Sequence, residues 1–212
     1  PEELLAFAGL GLVAALGAQV VMPSLSLAEV WFRRWLPLPF RPAVGGCVAG
    51  SVVAFLPEVA GNGYEPLTAL LAAKLAVGFV ALLLVGKAVA TIASVSSGSP
   101  GGVFTPTLLV GGCIGFLYAS VLGGVFGLEL GLPGGYALVG MAPATAATAH
   151  APVMAAVLVF ELSGDYAIAL PLVLATALAT SLSRALRKDS IYTAELRARG
   201  VEWELTLEGG RK

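Results

Sequence analysis

Apolar residues fall into six runs, at about 4–22, 43–56, 67–95, 103–126, 136–160 and 167–186, separated by short polar or Gly/Pro-rich stretches. A helix that crosses a bilayer needs about 20 such residues, with a range of about 17–25. Run 43–56 is too short to cross. Run 67–95 is too long to stand upright and carries Lys74 and Lys87, which predicts a tilted helix whose lysines snorkel or face protein. Runs 103–126 and 136–160 are interrupted by Gly or Pro. Lengths this uneven predict helices that enter, stop partway and turn back, which lipid tolerates only where the backbone faces protein or a wet cavity.

Composition places these runs in a membrane. Of the 212 residues, 58% are hydrophobic and 12% charged, and the mean hydropathy is +0.90. A soluble domain of this size needs a far more polar surface. The chain reads as an all-α, multi-pass integral membrane protein. Its net charge of −1 argues against a nucleic-acid partner. Cys47 and Cys113 lie in apolar, Gly-rich surroundings and read as buried thiols, since two cysteines form neither a disulfide framework nor a metal pattern. Pro1 and Glu2-Glu3 stand where a signal peptide would be basic, so the chain is expected to begin inside a longer polypeptide. Arg184, Arg187 and Lys188 follow the last apolar run and predict a cytoplasmic end. Arg33, Arg34 and Arg41 form a second basic cluster.

The chemistry concentrates in the uncharged stretch "SSGSPGGVFTP", residues 96–106. Val103 to Leu109 reads as a helix start, and Pro106 fits a first turn, where its missing N–H costs nothing. A helix that begins inside the membrane presents unpaired N–H groups and the positive end of its dipole. The glycines let a small ligand approach the backbone. Amide dipoles without Lys or Arg hold an anion yet let it leave, as conduction requires. The alternative is a Gly/Pro kink that only improves helix packing. Farther on, Asp189 or Ser190 can cap a short helix, near whose start Tyr192 is either a hydroxyl donor or an interfacial belt tyrosine.

"GSPGGVFTPTLLVGGCIG" resembles the Gly-Gly-x-Phe-x-Pro segment of the CLC family of chloride channels and anion–proton exchangers. "GNGY" at 61–64, the helix from Lys87 to Ser97, "HAPVMAAVLVFELSGDYAIALPLVLATALATSL" at 150–182 and "DSIYTAELRARG" at 189–200 follow in the family's order, from about residue 43 onward. The resemblance implies a CLC-type inverted-repeat fold of tilted, partly penetrating helices. Residues 1–188 would be the transmembrane region, namely the last helix of the first repeat plus most of the second, and 189–212 a final short helix and cytoplasmic tail. It implies transport of chloride or a similar small anion, as a proton-coupled exchanger or a passive channel, with no cofactor beyond the transported ion. The backbone amides of Val103 and Phe104 and the Tyr192 hydroxyl would bind the central anion. Gly102, Val103, Phe104, Thr105 and Pro106 would form this chain's share of the selectivity filter. A homodimer in the inner membrane is implied, with interface helices in the first run and in 150–186. The family topology would also place the Arg33–Arg41 linker outside, against its positive charge.

The family's gating and proton-relay glutamates would precede residue 1, so those roles do not pass to Glu58, Glu65, Glu129 or Glu161. Glu161, in "FELSGDY", reads as a helix-end residue, and His150 as a histidine satisfied by a backbone carbonyl. Two other classes stay open on the residues alone. One is an intramembrane serine hydrolase pairing Ser97 or Ser99 with His150, and the other is a membrane interaction subunit without transport activity.

Overall fold

The computed structural model describes residues 2–128 and 130–198. Among these there are helices and no strands: α1 (Glu2–Trp35), α2 (Arg41–Phe55), α3 (Tyr64–Leu71), α4 (Val77–Ser96), α5 (Phe104–Phe126), α6 (Pro133–Ala149), α7 (Pro152–Ser163), α8 (Ala169–Leu186) and α9 (Ile191–Ala198). Five helical stretches are long and apolar enough to cross a membrane. Exposed Leu, Val and Phe side chains cover much of the outside, as a protein surrounded by lipid allows.

Several expectations about the runs are corrected. The first apolar run is only part of α1, whose 34 residues make a rod about 51 Å long. The helix continues through Pro23, flanked by Ser24 and Ser26, whose hydroxyls bond Val20 O and Met22 O one turn back. A 3₁₀ turn, Leu38–Phe40, extends α2 to an 18-residue stretch that is long enough to cross. Run 67–95 is two helices rather than one tilted span. The chain breaks between Leu71 and Val77, where Ala73 takes a left-handed φ of 53°. Exposed Lys74 lies at that break, while Lys87 is only 3% exposed. Its Nζ donates to Val59 O at 2.8 Å and Gly61 O at 2.7 Å, so protein carbonyls rather than headgroups satisfy it. Run 103–126 is unbroken as α5 despite its glycines. Run 136–160 does break, at His150, which adopts a φ of 56° between α6 and α7. Cys113 is buried as expected, but Cys47 is exposed on α2.

The centre is α6, most of whose residues are buried. Glycines set its approach to α5. A Cβ on Gly111 would lie 2.6 Å from Gly140 O and 2.7 Å from the Ala144 methyl, so the two backbones nearly touch. Such small-residue seams are how helices associate in lipid, where there is little hydrophobic drive between them.

The register of α1 against α8 fixes their direction. Gly11 packs on the Ala175 backbone, and eight residues later in each helix Gln19 Nε2 donates to Ser183 Oγ at 3.0 Å. Contacts that advance together mean parallel helices. The basic ends at Arg33–Arg34 and at Arg184–Lys188 therefore lie on the same side of the membrane. The expectation of one cytoplasmic end and one external linker cannot hold as a pair.

Candidate functional site

Helix α5 begins as the motif predicts. The ladder's first bond runs from Thr107 N–H to Val103 O, at 3.1 Å, and Thr107 Oγ1 donates to the same carbonyl at 2.6 Å. The N–H groups of Val103, Phe104 and Thr105 precede that bond and so have no partner within the helix. No side chain caps the start, and Pro106, in the first turn, brings no N–H. Three donors and the positive dipole end thus converge there. Gly98 turns the chain with a φ of 86°, and exposed Gly101 and Gly102 leave the approach clear. A Cβ at Gly102 would meet no atom within 4 Å, so this glycine keeps space open and relieves no local crowding.

Val103, Pro106 and Thr107 border a cavity of about 20 Å³, together with Thr91 of α4, Thr148 of α6 and Ile191 of α9. That is room for about one water-sized guest. The walls are largely apolar, and amide dipoles act more strongly beside such walls than in water.

Helix α9 reaches this cavity through a local cap. Ser190 Oγ accepts from Thr193 N–H at 3.1 Å, and Thr193 Oγ1 accepts from Ser190 N–H at 2.8 Å. This is a capping box with Thr in the Glu position. Of the two cap candidates, Ser190 takes the role, while Asp189 pairs with Arg197 at 2.6 Å. Ile191 lines the cavity. Tyr192, next to it, is 44% exposed and does not belong to the lining. The half-buried Phe104 ring packs against the main core, which orients the start of α5.

The hydrolase constellation does not assemble. Ser97 Oγ bonds Ser94 O at 2.7 Å and Ser99 Oγ at 3.2 Å. His150 pairs elsewhere, and not with a backbone carbonyl as expected. Its Nε2 lies 3.3 Å from Ser183 Oγ, which donates to Ala147 O at 2.7 Å and accepts from Gln19. With its one proton committed to Ala147 O, Ser183 can only accept from His150, so Nε2 carries the hydrogen. Arg184 Nη2 donates to His150 O at 2.9 Å, closing a knot among α1, α6 and α8. Exposed Glu161 sits near the end of α7, and Glu129 and the tail from residue 199 lie outside the described residues. Among the described residues, no group of three His, Cys, Asp or Glu could hold a metal.

Sequence reasoning missed Thr91, Thr148, Ile191 and the knot. One signal was available: Gln19 is the single polar side chain in the run 4–22, and a lone amide in lipid needs a partner.

Comparison with known proteins agrees with this architecture. The family model described as voltage gated chloride channel matches residues 1–184. A ClcB-like chloride channel protein of Ralstonia nicotianae is 38% identical over 195 residues, covering 92% of this chain and 46% of the relative. The voltage-gated ClC-type chloride channel ClcB of Escherichia coli is 42% identical over 174 residues, 79% of this chain and 41% of that protein. The chain therefore spans less than half the length of these relatives. The crystal structure of a slow cyanobacterial Cl⁻/H⁺ antiporter superposes with a TM-score of 0.81 at 25% identity, over 93% of this chain and 47% of that one. A eukaryotic CLC transporter gives 0.71 at 25% identity, over 94% and 36%. Together with the uncapped start of α5, the match over residues 1–184 places this chain in the voltage-gated chloride channel (CLC) family.

Proposed function

We propose that this chain supplies the Val103–Pro106 half of a CLC-type pathway for chloride or a similar small anion. The observation that carries the reading is the uncapped start of α5, which has three N–H groups without a helical partner and borders a small, apolar-walled cavity through Val103, Pro106 and Thr107. In this reading the Val103 and Phe104 amides hold the anion, Gly102 to Pro106 form the filter segment, and Tyr192 donates its hydroxyl after a side-chain rotation toward the cavity. A proline without N–H in the first turn limits the donor count, so binding stays weak enough for release. The protein's own groups supply all the chemistry, with no cofactor beyond the anion. The relatives' names include both channels and a Cl⁻/H⁺ antiporter, so proton coupling belongs to the same proposal.

Two further features complete it. Exposed apolar residues along α7 and α8, such as Val153, Val157, Leu170 and Val173, support a homodimer joined through these helices. The shared side of the two basic ends supports a cytoplasmic carboxyl end in the inner membrane, with residues 189–212 beginning the tail. The test is reconstitution of the full-length protein in liposomes with a chloride gradient. Chloride efflux is expected, and proton movement against the gradient would mark an exchanger. A protein that is folded and dimeric but moves no anion under any gradient is the interaction subunit instead.

A further inference from the structure

We propose that the corner between α1 and α2 binds the headgroup phosphate of an anionic phospholipid. Three arginines meet there within nine residues. Arg41 folds back on α1, donating from Nε to Leu36 O at 2.9 Å and from Nη2 to Arg33 O at 3.4 Å, so the helix's carbonyl end holds one guanidinium in place. Arg33 pairs with Glu29 at 2.6 Å. Arg34 stands 5.7 Å over the Trp35 ring, with no acidic partner among the described residues. One carboxylate against three guanidinium groups leaves two charges uncompensated.

The aromatic residues around them set the depth. Trp31, Trp35 and Phe40 are 52%, 65% and 60% exposed, and tryptophan beside arginine is the pattern of a membrane–water interface. The corner also joins two stretches that can each cross a bilayer, Glu3–Trp35 and Leu38–Phe55, so the turn between them lies at headgroup level. Helices α1 and α8 run in the same direction, and because Gln19 is level with Ser183, Arg34 stands about 22 Å of helix beyond Arg184, which sets this corner apart from the basic end of α8. Charge, depth and aromatic anchors together select a lipid phosphate over a soluble ligand.

The test is electron spin resonance of the full-length protein in phosphatidylcholine vesicles, measuring the immobilised fraction of spin-labelled phosphatidylglycerol against spin-labelled phosphatidylcholine. Each uncompensated guanidinium near the surface favours an anionic lipid by about fivefold, so a preference of at least fivefold is expected. Arg33→Gln/Arg34→Gln should bring the ratio close to one. Arg33→Lys/Arg34→Lys, which keeps the charge, should retain it and exclude misfolding as the cause. Millimolar inorganic phosphate should leave the preference unchanged. A preference that survives the double Gln variant, that disappears only on changing Arg184 and Lys188, or that free phosphate abolishes would overturn the proposal.

Discussion

Removing one backbone donor at the start of α5 tests the amide site directly. Proline at position 104 is a poor tool, although it deletes the N–H. Val103 sits in the right-handed region at φ −95° and ψ −13°, and a proline at the next position disfavours that conformation. Replacing Phe104 by its α-hydroxy acid changes the amide to an ester and leaves ring and φ/ψ intact. The helix ladder does not use this N–H, since its first bond comes from Thr107. A hydrogen bond to a charged partner contributes about 1.5–3 kcal/mol, so chloride affinity should fall about ten- to hundredfold. The ester also weakens Val103 O as an acceptor for Thr107, a neutral contribution of about 1 kcal/mol or less. Thermal unfolding without chloride reads that part separately. Calorimetric titration of chloride into full-length protein reads the rest, with Phe104→Leu as the control expected to bind nearly as wild type. If the ester binds chloride as tightly as the parent, or Phe104→Leu loses as much as the ester, the amides do not hold the anion.

Tyr192→Phe should weaken chloride binding about tenfold or more if the hydroxyl donates to the ion, whereas a belt tyrosine leaves affinity unchanged in both Tyr192→Phe and Tyr192→Ala. Ser183→Ala removes three hydrogen bonds from the α1–α6–α8 knot, and at about 0.6 kcal/mol each in membrane proteins the loss should be about 2 kcal/mol in reversible unfolding. A loss below about 0.5 kcal/mol would mean that Gln19 and His150 find other partners. Gly111→Val should prevent assembly of α5 on α6, seen as loss of the monodisperse peak in size-exclusion chromatography. Gly124→Val on the same helix, where a Cβ meets nothing within 4 Å, should elute normally.

The motif's local consequences were legible from sequence, because they depend on short-range backbone rules. Pro106 in a first turn, the uncapped start of α5 and the Ser190 cap each follow from a few adjacent residues. Breaks between helices were harder. Apolarity alone cannot separate α3 from α4, because Ala72, Ala73, Leu75 and Ala76 are as greasy as the helices they part. Conversely, the glycines of α5 look like interruptions but are contact points, since lipid-embedded helices use missing side chains to approach each other. Cys47 was misplaced for a related reason. In a lipid-facing helix an apolar neighbourhood does not mean burial, and α2 buries only Gly45.

Sidedness was the property least accessible to sequence, and the reason is parity. Reading it requires counting membrane crossings between Arg34 and Arg184, and that count fails when helices stop partway or runs divide unseen. Charge and resemblance then gave opposite answers for the α1–α2 corner. Two long-range contacts remove the count from the argument. Gly11 on Ala175 and Gln19 on Ser183 advance in step, which holds α1 and α8 parallel whatever happens between them. Both basic ends then favour one leaflet, and the positive-inside bias of the first cluster reinforces that of the second. The same contact that satisfies a lone glutamine in the membrane therefore helps fix which way α5 points. Helix α5 runs against α6, with Gly115 packed on Tyr136 and Gly111 on Gly140, and α6 runs with α1, from Phe7 on Tyr136 to Ala18 beside Ala147. The donors of Val103 to Thr105 thus open toward the side to which the arginine-bearing end of α1 points, which is the direction of approach that the proposed anion site requires.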